Sequence, residues 1–76
     1  MSTTLEQLRT GHRGRILSLD GDDSVAIRLM EMGIMAGVEI ESLGSAPLGD
    51  PLAFFVRGYR VALRTSEARR IRIEVL

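Results

Sequence analysis

Residues 51–64, PLAFFVRGYRVALR, decide how this chain folds. Leu52, Phe54 and Val56 fall at every second position, and Tyr59, Val61 and Leu63 repeat the pattern after Gly58, which places each set on one face of a strand. Gly58 supplies the backbone freedom of a tight turn, so the stretch predicts an antiparallel hairpin. Just before it, SAPLGDP at residues 45–51 sets Pro47 and Pro51 around Leu48, Gly49 and Asp50. Each proline fixes its own φ and disfavours helical geometry in the preceding residue, which makes Ala46 and Asp50 extended and leaves Leu48 and Gly49 at a stiffened loop tip. A loop that stays rigid while holding a leucine in water needs a reason.

The same alternation recurs on either side. Residues 38–44, VEIESLG, place Val38, Ile40 and Ser42 on one side and Glu39, Glu41 and Leu43 on the other, and residues 71–75, IRIEV, align Ile71, Ile73 and Val75. GRILSLDG predicts a strand over Ile16–Asp20, closed by a polar turn at Gly21. In DDSVAIRLMEMGI the period changes to that of a helix, with Asp22, Asp23 or Ser24 as its N-cap and Gly33 as the left-handed residue past its end. Val25, Leu29 and Met32 share the buried face, Ala26 and Met30 its edge, while Ile27, Arg28 and Glu31 face outward. TTLEQLRTG predicts a short N-terminal helical turn carrying Leu5 and Leu8, and TSEARR a single turn capped by Thr65. Five short strands with one clear helix predict a mainly β chain folded as a small, strongly bent barrel, since closure removes exposed edges.

With 76 residues, one domain over residues 1–76 with a small core is expected. The hydrophobic fraction of 45% and charged fraction of 26% are ordinary for a soluble protein, and the apolar residues come in bursts too short to span a membrane. The start, MSTTLEQLRTGHR, has no basic-then-apolar signal pattern, and the lack of cysteine excludes disulfides and thiolate metal sites, so the expected location is the cytoplasm. The net charge of zero disfavours a general nucleic-acid binder, yet its distribution is uneven. Asp20 to Asp50 carries seven acids against Arg28 alone, whereas Arg57 to Arg72 carries six arginines against Glu67. Every basic residue apart from His12 is arginine.

Catalytic and cofactor chemistry finds no support. One histidine, His12 in a polar N-terminal loop, and no cysteine cannot build the usual metal site or a Ser-His-Asp triad, and the scattered glycines without lysine make no phosphate loop. Asp20, Asp22, Ser24 and Glu31 match four positions of a calcium loop, but Val25 stands where that loop needs glycine. No enzyme, no metal and no cofactor is expected. A proline-rich peptide reader would need an aromatic-lined groove, and of Phe54, Phe55 and Tyr59 at least two are expected in the core. A binding module is what remains.

Taken in order, RLMEMGIMAGVEIE followed by APLGDPLAFFVRGYRVALRTSEARRIRIEV resembles the ferrous iron transport protein A (FeoA) family, and the leading Leu5, Leu8, Gly11, Gly14 spacing and Gly21-Asp22 fit as well. The resemblance covers nearly the whole chain. One departure is Ala36-Gly37, where the family commonly has Pro-Gly: the glycine that allows the turn is kept and the proline's rigidity is lost. The resemblance implies an SH3-like β-barrel, of the kind also found at the C-terminus of iron-dependent repressors, and a cytosolic accessory role for the membrane transporter ferrous iron transport protein B, which carries a GTP-binding domain.

Leu48 then has two readings. Either it folds back over the barrel end and Gly49 only permits the turn, or the proline-braced Pro47, Leu48, Gly49, Asp50, Pro51 loop presents it as a preorganised anchor that loses little conformational entropy on binding. Ile27 and Arg28 on the helix would extend such a surface, and Arg57 in the arginine-rich half suits an acidic partner or, indirectly, an anionic membrane. Gly33, Gly37 and Gly58 are expected as structural turns. Self-association through Phe55 or Met35 is kept as a further partner class, and the alternative function is a protein-interaction domain of an iron-dependent transcriptional regulator system.

Overall fold

The predicted hairpin forms β4 (Leu52–Val56) and β5 (Tyr59–Leu63) in a computed structural model that describes all residues, Met1–Leu76. Its turn is the pair Arg57-Gly58, with φ of 52° and 94°. Two successive positive φ values give the turn whose twist matches that of the strands it joins, and only the second falls on glycine. Val56 faces Tyr59 and Leu52 faces Leu63 across the ladder.

Four more strands complete one antiparallel sheet: β1 (Ser2–Thr4), β2 (Arg13–Leu19), β3 (Glu39–Ser45) and β6 (Ile71–Val75). Their spatial order is β1-β6-β2-β3-β4-β5. Register shifts between Ile16 and Ser18 in β2, and between Ser42 and Gly44 in β3, bend these two strands and curl the sheet around its core. A 3-10 turn (Leu5–Gln7) follows β1, α1 (Ser24–Glu31) crosses between β2 and β3, and α2 (Thr65–Ala68) joins β5 to β6. None of these helices is long and apolar enough to cross a membrane.

Alternation fills the core as expected. Ile40 and Ser42 from β3, Phe54 and Val56 from β4, Leu63 from β5, and Ile71 and Ile73 from β6 are all buried, joined by Leu5, Ile16, Leu29 and Ile34. Fully burying a side chain such as Phe54 or Ile73 contributes about 2 kcal/mol through removal of apolar surface from water. Asp23 is the N-cap of α1, its carboxylate accepting the Ala26 N–H at 3.2 Å. At the other end Gly33 (φ 96°) donates to Met30 O and Ile34 to Leu29 O, a paired closure that turns Ile34 back onto Leu29 in the core.

Several expectations need correction. A sixth strand, β1, exists although Ser-Thr-Thr has no apolar alternation: it is held by backbone pairing to Arg72–Glu74 of β6. The second strand begins at Arg13 and includes Gly14, whose missing side chain lets β6 approach; a Cβ there would lie 2.8 Å from Ile73 Cδ1. The sheet also keeps two edges, because β1 and β5 do not pair with one another. Thr65 is the first residue of α2 and Arg64 its cap position, so Thr65 does not cap the turn. Of the three aromatic residues only Phe54 is core, at 1% exposure, while Phe55 at 42% and Tyr59 at 55% are open. Met30 is likewise exposed. Gly37 and Gly58 both adopt positive φ, as their turns require.

Candidate functional site

The six residues Ala46–Pro51 close the β3–β4 hairpin, between the paired Ser45 and Leu52. Gly49 N–H donates to Ala46 O at 2.8 Å, making a turn with Pro47 as its first central residue, and Ala46 N–H donates to Pro51 O at 2.9 Å. Gly49 has φ of 91°, a region that glycine enters without steric cost, and the Asp50–Pro51 peptide is cis. The loop is therefore closed by its own backbone, and Leu48 stands at its tip 97% exposed. Of the two readings of Leu48, folding back over the barrel is excluded.

Asp50 lies in the loop, as expected, and has partners that the sequence did not reveal. Its Oδ1 accepts the Thr65 backbone N–H at 2.8 Å and the Thr65 hydroxyl at 3.1 Å, so the loop satisfies an orphan donor at the start of α2. Arg64 Nη1 lies 4.0 Å from the other oxygen. Asp50 thus anchors the loop while Leu48 is presented. Glu67 completes the junction by accepting the Arg64 N–H at 2.8 Å.

Ile27 and Arg28 lie on the outer side of α1, as the helical period requires, with Ile27 49% exposed. Arg28 Nη2 is hydrogen-bonded to Glu67 Oε2, which ties α1 to α2. Between them a concavity of about 340 Å³ is lined by Arg28, Met32, Pro51, Leu63, Arg64 and Glu67, together with Ala62. Pro51 at the end of the loop and Arg28 on the outer side of α1 therefore line one concavity. Arg57 does not join it, since it sits beyond the far end of β4, roughly 20 Å of strand from Pro51. Its aliphatic stem lies against the end of α1, where a Cβ on Gly33 would be 2.9 Å from Arg57 Cδ.

The uneven charge of the sequence folds onto itself. Arg70 donates twice to Asp23, at 2.6 and 2.9 Å, Arg28 pairs with Glu67, and Arg64 approaches Asp50. The Arg70 hydrogen bonds, then the Ala26 N–H, hold the Asp23 carboxyl down at a pKa of about 2, and the same contact raises Arg70. Four arginines, Arg9, Arg57, Arg60 and Arg72, have no acidic partner. No periodicity reveals the Asp50–Thr65 and Arg28–Glu67 contacts; they join segments that meet only in the fold. His12 is exposed, and the segment from Ser24 is helix and not a cation loop.

The FeoA domain model matches residues 3–75. A relative from Porphyromonas gingivalis, an Fe(2+) transport protein A/Fe(2+) transporter FeoB fusion protein, is 33% identical over 72 residues; these span 95% of this chain and 8% of that protein. This chain therefore corresponds to a small part of that relative's length. The solution structure of a FeoA-like protein from Clostridium acetobutylicum is similar at a TM-score of 0.91, with 37% identity over 99% of this chain and 87% of that one. The FeoA of Stenotrophomonas maltophilia, a prokaryotic SH3 domain protein crystallised with zinc, is similar at a TM-score of 0.83, with 33% identity over 95% of this chain and 89% of that one.

Proposed function

The chain belongs to the FeoA family, and from that premise we propose that it is a non-catalytic accessory protein of ferrous iron uptake, which binds the GTP-binding ferrous iron transporter B and modulates its assembly or activity. The observation that carries this reading is the fusion of the two proteins in the Porphyromonas gingivalis relative, since a covalent link makes sense for partners that work in contact. The contact surface we assign is the loop Pro47–Pro51 with the adjoining outer side of α1. Leu48 is a rigidly held apolar anchor, and a preorganised loop loses little entropy when it docks. Ile27 extends the apolar part and Arg28 lines the neighbouring concavity, while Arg57, beyond the far end of β4, lies outside this surface and would add charge only to a separate contact. Association with a membrane transporter would bring a cytoplasmic protein to the membrane through its partner alone.

A role in transcriptional regulation has less support. The two helices, α1 and α2, are separated by three strands and α2 has four residues, so they do not form a helix-turn-helix, and the chain would need another protein to reach DNA. A pull-down of detergent-solubilised ferrous iron transporter by the tagged protein tests the proposal: capture is expected, and absence of capture favours the regulatory role.

A further inference from the structure

The two sheet edges include β5, and its hydrogen-bonding groups point two ways. The tight Arg57-Gly58 turn makes Val56 and Tyr59 the hydrogen-bonded pair that closes the hairpin, and such pairs then alternate, so Tyr59, Val61 and Leu63 direct their backbone groups at β4. Arg60 and Ala62 direct theirs away from β4, and no strand lies on that side. Both residues are exposed, and no loop or side-chain hydrogen bond reaches their backbone. We propose that this free edge of β5 binds an extended acidic segment of a partner protein, which adds to the sheet as a further strand.

Charge selects the occupant. Arg57 and Arg60 have no acidic partner, and the strand and its flanks, Arg57 to Arg64, contain no acid at all. A second copy of this chain is a poor fit. In an antiparallel self-pairing that joins the open backbone groups, Arg60 stands opposite Arg60, opposite Arg64, or diagonal to both, and like charges so placed destabilise a pair of strands. An acidic strand meets the same arginines with opposite sign, while its main chain satisfies the N–H and C=O of Arg60 and Ala62. A nucleic acid would use the arginines and leave the two carbonyls without donors. Ala62 also lines the concavity beside Arg28 and Arg64, so the added strand would run past the surface assigned above. The inference rests on the accessory reading only in taking the ligand to be a protein.

The test titrates the intact protein with a short synthetic peptide alternating valine and glutamate, followed by amide hydrogen exchange. Binding is expected to slow exchange at the Arg60 and Ala62 amides, and added salt to weaken it. Arg60→Glu should weaken it about five- to tenfold and transfer the preference to the matching valine–lysine peptide. Ala62→Pro removes a donor that β4 does not use, so the folded variant should lose the peptide. Absence of any binding at millimolar peptide, binding that leaves both amides unprotected, unchanged affinity in Arg60→Glu, or displacement of the peptide by a single-stranded oligonucleotide would each overturn the proposal. The pull-down of the transporter is read separately, so capture by wild type beside a failed titration removes the edge and keeps the accessory role.

Discussion

Two aspartates in this protein each hold the N-terminus of a helix, and they do so from opposite kinds of position. Asp23 is the residue next to α1 and caps it locally, with Arg70 clamped on its carboxylate. Asp50 reaches α2 from a loop fifteen residues earlier in the chain and takes the Thr65 N–H and hydroxyl. The first junction closes on its own ion pair, Asp23 with Arg70. The second fixes a loop whose tip holds Leu48 in water. A remote cap therefore satisfies a helix terminus and ties down the loop proposed as the contact, with one side chain.

The helices that the two junctions start are unequal, and this sets the largest expected effect. α1 seats Leu29 and Ala26 in the core, whereas Ala68 is the one buried residue of α2. Leu29→Ala should cost about 3 kcal/mol in urea denaturation, as the loss of a buried leucine plus a residual cavity requires. A cost near zero would mean that α1 is no better seated than α2. Asp50→Ala should cost about 1 kcal/mol, the usual value for a lost cap, and speed amide exchange at Thr65 and across residues 46–51 together. If only Thr65 responds, the loop holds itself and the cap does not orient it.

Acid tests the Asp23 junction next. Asp23 has its pKa lowered from 3.8 to about 2 in the folded protein, mainly by the Arg70 hydrogen bonds. Because the folded value lies below the unfolded one, the stabilisation is complete above pH 3.8 and is lost as pH falls toward 2. Asp23→Asn should flatten the fall of the denaturation midpoint in that window, and a slope equal to that of wild type would contradict the assigned contact. The smallest effect belongs to Leu48. Leu48→Asp removes a side chain with no buried contact, so stability should stay within about 0.5 kcal/mol of wild type.

Much of this could be read from the residues, and the exceptions share a cause. The alternation of Leu52, Phe54 and Val56, the capping aspartate before Val25 and the glycine after Met32 are local patterns with local causes, and each lies in the structure where its pattern placed it. Ile34 carried a signal that was available, because the residue after a left-handed C′ glycine commonly packs back on the helix. Strand β1 carried none: Ser2–Thr4 is a strand because β6 offers it a backbone ladder. The need for glycine at position 14 arises from Ile73, and the anchoring role of Asp50 from Thr65, in both cases from partners that sequence spacing does not bring near. Phe55 and Tyr59 have the hydrophobicity of core residues, but Phe55 lies between the inward-facing Phe54 and Val56, so alternation turns it outward, and Tyr59 stands beside the hairpin turn with 55% of its surface open. Resemblance identified the family; only the fold separated the residue that anchors the loop from the one it displays.

The most direct measurement compares wild type and Leu48→Asp in two assays on the same preparations, thermal unfolding and capture of the detergent-solubilised ferrous iron transporter. Coincident unfolding curves are expected, with capture by wild type and loss of capture in the variant. Equal capture by both proteins, with unfolding unchanged, would contradict the assignment of the proline-braced loop as the contact.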